Sequence, residues 1–514
     1  MNEIEFNNCL QKISRREMEV LQLLLQGDSN LKIAQALCIE VGTVKSHVSH
    51  ICGKENFGLV SKENRGSSHE DELIDLFIRY KGAWVANCVR ERLRYPKWED
   101  PGDVERTGSN FYLERTKNCR DENQVIKLYK NAVKADRSDP YAQIYLNNSK
   151  ARQAGNPLRI GVVIAKAGND FHEFASLQVL RGVASSQTEF NECGGKNGRL
   201  LEIDIRNDGN RPSDAKEIAK KFADDLSILA IIGHHSSEST KAALHIYEPR
   251  SIAVISPTST SSELSGRTFF RTVGSTQAIA SKYTQYIMDD LTLDKIAVIY
   301  HRGNEFSETL REDFENTFRR RMGTRGQRGQ ITQSLDITAI SLNILESIED
   351  IKQESDAVLI ISSIETNSIA IAIAHENHEN SKLQPDKKLR LLLTTALPET
   401  PLLEKGGNAV EGAVLVSPCL AQESAYMEKA RSRWGQEINW RVVTAYNATQ
   451  AIIAAIESST EVTRPAILEN LENIVLDVDR TSGFGLRWSY TDYHANAHQQ
   501  YSVWQVRHGR FEEI

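Results

Sequence analysis

The sequence predicts a multidomain chain in three parts: an all-α unit at the N-terminus, a helical middle segment, and a two-lobed α/β domain. Three observations carry this. At 514 residues the chain exceeds what one hydrophobic core usually serves, since about 150 residues per domain is the common scale. Its apolar spacing is helical before residue 60, whereas from 158 onward short apolar runs alternate with amphipathic stretches. Two breaks separate these regimes: SKENRGSSHED at 61–71, which has no apolar residue, and AGNP at 154–157. The expected boundaries are therefore 1–60, 61–157 and 158–514.

Each element follows from its own pattern. Ser14 stands three residues before Glu17, the capping-box spacing, and opens a helix with Met18, Leu21, Leu24 and Leu25 inward. GDSN at 27–30 ends it, and a second helix carries Ile33, Ala34 and Leu37. After a turn through 39–42, a third helix places Val44, Val48 and Ile51 inward at i, i+4 and i+7. Residues 121–153 read as two amphipathic helices joined at Asp139-Pro140, with the spacing of one tetratricopeptide-type pair. A lone pair cannot build a solenoid, so it is expected to dock on a neighbouring domain. Trp84, Trp98, Phe111 and Tyr112 are expected to pack within or between domains. Beyond the second break, apolar strands are expected at 158–165, 200–204, 227–233, 251–256, 295–300, 356–362 and 389–395. Helices are expected at 213–225, 276–290, 307–321 and 442–457. Such repeated βα winding gives mainly parallel, doubly wound sheets, and roughly 350 residues suffice for two lobes.

Composition excludes several classes. With 40% apolar and 25% charged residues the chain is globular rather than disordered. Against 62 Lys and Arg stand 69 Asp and Glu, a net of −7, so no global positive field draws it to nucleic acid. Seven cysteines, never spaced CxxC, argue against a disulfide framework or zinc ribbon. The N-terminus MNEIEFNNCL is acidic where a signal peptide is basic, and no run reaches the roughly 18 apolar residues of a membrane span. A cytoplasmic protein with no membrane partner is expected. There is no P-loop, HExxH, GxSxG or plausible Cys/His pairing, so no enzyme and no cofactor are expected. His234-His235 lacks a third ligand at usable spacing and reads as loop polarity. Arg319-Arg320-Arg321 with Arg325 and Arg328 reads as a solvated helix end.

Several motifs in register over residues 13–59 resemble the LuxR/FixJ-type helix-turn-helix family. They are ISRREMEVL at 13–21, GDSN at 27–30, Ile33-Ala34, LCIEVGTVKSH at 37–47, Lys54 and Phe57-Gly58-Leu59. The resemblance implies double-stranded DNA as partner, with the third helix in the major groove. On it, Lys45, Ser46 and Ser49 would face bases, and Thr43 and His47 would lie near phosphates. The residues alone say less: Lys45 can donate to a guanine edge or a phosphate, and Thr43 sits near a helix N-terminus that favours anions. Read blandly, they are solvated polar groups on a small trihelical module. The family pairs subunits through a fourth helix, which here is interrupted by Asn64-Arg65-Gly66, so a homodimer is an expectation of the family alone.

Residues 158–512 resemble the type I periplasmic-binding fold, nearest the leucine/isoleucine/valine-binding family. The matching stretches are Gly194-Gly195, IGHHSS at 232–237, ISPTST at 255–260 with Glu263-Leu264, and Phe270-Arg271-Thr272. Val410-Glu411-Gly412, TAYNA at 444–448, Gly483-Phe484-Gly485 and YSVWQVRHGRF at 501–511 follow. The resemblance implies a small ligand, amino-acid-like, held between two lobes. Ser237 with Thr258, Ser259 and Thr260 would take its carboxylate, Glu411 its ammonium, and Phe306 would cover it. Independently of any family, Ser236 and Ser237 lie where a strand passes into a helix, so hydroxyls and free N–H groups converge there on an anion. Singly, each hydroxyl could equally be a loop or helix cap.

Together these readings predict a DNA-binding transcriptional regulator that senses a small polar ligand through a cleft. The alternative is a ligand-binding or scaffold protein whose helix-turn-helix no longer binds DNA. The lack of basic excess, and a short Ser49 where relatives carry a longer donor, keep that alternative open.

Overall fold

The computed structural model describes residues 12–25, 30–37, 39–53 and most of 122–514, with isolated positions at 5, 6, 9, 10, 57, 73 and 77. Within 122–514 the undescribed positions are 167–169, 325–328, 342, 384–388, 436–437 and 490–494. The expected linker at 61–71, the interruption at 64–66, Lys54, Trp84, Trp98, Phe111, Tyr112, Arg325 and Arg328 lie outside the described residues.

Three helices, Arg15–Leu25, Asn30–Leu37 and Val41–Cys52, form the first unit. The capping box is reciprocal: the Ser14 N–H donates to Glu17 Oε2 at 2.8 Å, and the Glu17 N–H to Ser14 Oγ at 3.3 Å. Leu21, Leu24, Ile33, Val44, Val48 and Ile51 are buried between the helices, as their spacing requires. Phe6, Phe57 and Phe77 meet beside this core, with ring centroids 4.9 to 5.5 Å apart.

The middle pair is Glu122–Ala135 and Pro140–Ala154. Asp139 caps the second helix, accepting from the N–H groups of Tyr141 and Ala142, and Pro140 occupies its first turn, where a missing N–H is harmless. The pair docks on the α/β domain, as its isolation predicts. Asn148 accepts from the Ile203 N–H and donates to the Ile203 carbonyl, both at 2.8 Å, while Gln187 Nε2 donates to Asn148 Oδ1. One amide thereby satisfies backbone groups along a sheet edge that would otherwise be open.

Lobe I begins with β1 (Leu158–Ile164), β2 (Leu201–Asn207), β3 (Ile228–Ile232), β4 (Ala253–Ser256) and β5 (Phe269–Arg271), parallel and ordered 2-1-3-4-5. Lobe II repeats the winding with β6 (Lys295–Tyr300), β7 (Gln330–Asp336), β8 (Ala357–Ile361), β9 (Arg390–Leu393) and β10 (Val414–Pro418), ordered 7-6-8-9-10. The chain then returns to extend both sheets. Strands β11 (Val475–Leu476), β12 (Leu486–Ser489) and β13 (Ala495–Asn496) build onto β5, and β14 (Tyr501–Arg507) with β15 (Arg510–Glu513) onto β10. Every expected strand is present, shifted by at most a few residues. Strand β7 escaped the apolar criterion because QITQSLD is a polar, half-exposed edge. Helix Thr276–Gln285 continues into a wider turn at Tyr286–Asp290, so the expected 276–290 segment is one continuous rod.

The core of lobe I lies between its sheet and helices Asp170–Glu192 and Trp440–Ser458. The buried residues of the first unit are continuous with those beneath lobe II helices Ile344–Glu354 and Asn367–Leu383. The middle pair is therefore joined to one lobe and the first unit to the other.

Candidate functional site

On helix Val41–Cys52 the buried residues Val44, Val48, Ile51 and Cys52 fix which face turns outward. Thr43, Lys45, Ser46 and Ser49 are exposed on that outer side, and His47 is half-buried. The Ser46 hydroxyl donates back to the Gly42 carbonyl at 3.0 Å. The helix is braced from behind by a contact between His50 Nδ1 and Glu17 Oε1. Burial pushes the Glu17 carboxyl up, but the Ser14 hydroxyl and N–H and His50 outweigh it and hold the group below its ordinary range.

The second site is a cleft between the lobes, enclosing about 580 Å³ with its open mouth included. It is built from loops at the carboxyl ends of β3, β4, β6, β8 and β9, where parallel strands pass into helices around a common crevice. Ser236, Ser237, Thr258, Thr260 and Phe306 all line it. Their hydroxyls also hold the walls. Ser236 Oγ caps helix Ser237–Tyr247 by accepting from the Ser239 N–H, Ser237 Oγ accepts from the Ser261 N–H, and Thr258 Oγ1 donates to the His235 carbonyl at 2.7 Å. The same side chains thus serve as caps and braces and line the cleft.

Two expected residues are placed elsewhere. Ser259 points inward, 1% exposed, and its hydroxyl meets Thr240 Oγ1 at 2.7 Å, tying the β4 loop to the helix after β3. Glu411 precedes β10 rather than following a strand, and so lies toward the amino ends of the lobe II strands, away from the cleft at their carboxyl ends. There it accepts from the His508 and Gly509 N–H groups at 2.8 and 3.2 Å, closing the β14–β15 turn. Neither residue lines the cleft. His234 sits behind it, its Nδ1 2.7 Å from Asp208 Oδ2 and its Nε2 3.2 Å from the Tyr247 hydroxyl. Of the arginine run, Arg319 pairs with Glu315 and Arg321 with Asp289.

The charges in the cleft come from residues that sequence reasoning passed over: Glu238, Glu365 and Arg441. Burial, and then repulsion from Glu365, push the Glu238 carboxyl up to about 7. Burial also raises Glu365, but His172, the Ser363 hydroxyl and His301 outweigh it and hold the carboxyl below its ordinary range. Burial, helped by the positive Arg441, drives His235 down to about 3, so it is a neutral ring. Arg441 is 2% exposed and stacks over Trp440 at 4.4 Å, with one nitrogen donating to the Thr395 carbonyl. Its Nε and Nη1 make no hydrogen bond, Nη1 having only a 3.5 Å ion-pair contact to Glu399. Glu365 Oε2, Asn210 Oδ1 and Trp440 Nε1 are likewise buried without a hydrogen bond. The lobes touch at the rim: Lys241 Nζ lies 2.8 Å from Glu305 Oε1, the Glu305 N–H donates to Glu238, and Asn210 donates to Glu365.

Glu238 was detectable as the residue after Ser237, and Glu365 as the fourth after β8. Arg441 carries no such signal, standing inside an apolar helical run.

No helix among the described residues is long and apolar enough to cross a membrane. Residues 11–57 match the family described as bacterial regulatory proteins, luxR family, and residues 157–510 the family described as periplasmic binding protein. An amino acid binding protein of Pseudomonas aeruginosa is 30% identical over 146 residues, 27% of this chain and 39% of that protein. A Leu/Ile/Val-binding protein homolog of Brucella abortus is 33% identical over 128 residues, 24% of this chain and 34% of that protein. The chain thus spans under two fifths of the length of these curated relatives. An ABC transporter substrate-binding protein of Desulfitobacterium hafniense, solved with Leu, superposes with a TM-score of 0.56 at 19% identity. That superposition covers 70% of this chain and all of the other, and it shows the two-lobed fold. Both its sheets and the match over 157–510 make the chain a member of the periplasmic binding protein family, carrying a LuxR-type domain at its N-terminus.

Proposed function

We propose that this protein is a cytoplasmic, DNA-binding transcriptional regulator whose cleft senses an amino-acid-like ligand. The observation that carries the reading is the cleft itself: Ser236, Ser237, Thr258 and Thr260 gather at a helix N-terminus, with the acid Glu238 in the same first turn and Glu365 contributed by lobe II. A carboxylate suits the hydroxyls and the helix N-terminus, and an ammonium suits the acids. Phe306, from lobe II, lines the same cleft and would cover a ligand held there. What the similar proteins are named for, amino acids, agrees with this chemistry.

The outer face of helix Val41–Cys52 supplies the second activity. Lys45 and Ser49 are the groups offered to base edges, Thr43 and His47 those offered to phosphates, and Ser46 stands between them. Readout follows from the attachment of the parts. The middle helices are bonded to lobe I through Asn148, whereas the first unit's apolar core continues into lobe II. A change in the angle between lobes therefore shifts the DNA-binding unit relative to the middle helices, giving ligand and DNA a shared conformational variable.

The test is a gel shift on DNA selected from random sequence, at low and physiological salt, with and without amino acids. A salt-dependent shift that ligand alters supports the regulator. No shift in any ligand state rejects it in favour of a binding protein whose helix-turn-helix is silent.

A further inference from the structure

The cleft holds more charge than a plain amino acid uses. Its hydroxyl wall and helix N-terminus serve one carboxylate, and Glu238 with Glu365 serve one ammonium. Arg441 is left over. It is almost wholly buried, lines the same cleft beside Thr395 and Trp440, and keeps Nε and Nη1 without a hydrogen bond.

Two unbonded guanidinium donors in a buried position are costly unless a ligand completes them. A branched aliphatic side chain placed there would exclude water and leave both donors unpaired. A cationic side chain would be repelled. A carboxylate brings the negative charge and acceptor oxygens that these donors lack, and so forms the strongest hydrogen bond open to them. Glu399, 3.5 Å from Nη1, does not line the cleft, and its longer contact leaves both donors unbonded.

We propose that the ligand is a dicarboxylic α-amino acid whose side-chain carboxylate is taken by Arg441. The inference rests on the reading of the cleft as an amino-acid site and adds the specificity-determining residue. In this arrangement the α-carboxylate meets Ser237 and Thr260, the ammonium meets Glu365, and the indole of Trp440 holds the guanidinium plane in place. Discrimination is set by the guanidinium donors: an amide in place of the acid loses the ionic partner, and a hydrocarbon loses every bond.

Calorimetry on the full chain with L-glutamate, L-glutamine, L-aspartate, L-asparagine and L-leucine tests this. One acid is expected to bind at least about tenfold more tightly than its own amide, and more tightly than leucine. Arg441→Gln is expected to erase the acid preference. Because Arg441 also donates to Thr395, that variant is first checked for native circular dichroism, and the wild-type acid-to-amide comparison stands without it. Equal or tighter binding of the amides or of leucine overturns the proposal, as does an acid preference that survives in a folded Arg441→Gln. If none of the five binds, the amino-acid reading itself fails and this inference falls with it.

Discussion

Glu238 carries a carboxyl that the cleft keeps protonated into the neutral range. Its ordinary value of 4.5 is raised to about 7 by burial and by the neighbouring Glu365. The folded protein therefore holds a proton that the unfolded chain releases between about pH 4.5 and 7, and this group's contribution to stability falls as pH rises through that window. A ligand ammonium has the opposite effect on the carboxyl, drawing its value down. Binding is expected to strengthen from pH 6 to 8 and to release a proton near neutrality. Calorimetry in two buffers of different ionisation enthalpy reads that release, and Glu238→Gln should abolish it. On the DNA side, Lys45→Ala should weaken binding by about 1–3 kcal/mol if the ammonium contacts a base. A uniform loss across all sequences, with a smaller salt slope, would assign Lys45 to a phosphate instead. At this scale legibility depended on position along a strand. Hydroxyls just past β3 and β4 were readable because parallel sheets put those loops in the cleft. Glu411 was misread because Glu-Gly before β10 is at the wrong end of its strand. Arg441 was hidden, since WRVVTAYN reads as core helix and a single cation there gives no sign that it faces a cavity.

Elements were more legible than residues. Buried strands such as ILAII at Ile228–Ile232 and AVLII at Ala357–Ile361 are unbroken apolar runs, and nothing else fits so short a stretch between helices. Of the C-terminal strands, β14 and the start of β15 fall within the family pattern at 501–511, whereas β11 and β13 have two residues each, too few for any period. How closely two helices approach was not legible either. Gly182, on Asp170–Glu192, faces helix Trp440–Ser458 so tightly that an added Cβ would lie 2.2 Å from the Val442 carbonyl oxygen and 2.7 Å from the Tyr446 nitrogen. Both are backbone atoms, which cannot swing aside. Gly182→Ala should therefore cost about 1–3 kcal/mol, seen as a lower urea midpoint at unchanged slope. Since helix Trp440–Ser458 carries Arg441 near its start, the same substitution should weaken ligand affinity. A variant as stable as the parent would mean the two helices separate at little cost.

At the scale of the whole molecule the prediction is reciprocity. Coupling between distant sites is typically about 1–3 kcal/mol, so saturating ligand should change DNA affinity about 5–150-fold in one direction, and DNA should change ligand affinity by the same factor. Titrating each with and without the other, at fixed salt, measures both arms. Equal affinities in the two states would mean that a binding domain and a DNA-binding domain merely share a chain. The doubly wound architecture was readable from the alternation of strands and helices. The attachment of the parts was not, because Asn148 is an ordinary polar residue in an amphipathic helix until Ile203 is beside it.

The return of the chain to both sheets has a consequence for how the protein is made. The edge of lobe I is finished by β11, β12 and β13, which leave the ribosome only after all of lobe II through β10 has been synthesised. The nascent first half must wait with the flank of β5 uncovered, an invitation to pairing with other chains. Neither lobe can be released as a self-sufficient fragment by a single cut. A chain interrupted anywhere between 418 and 475 would carry two unfinished sheets rather than one intact lobe.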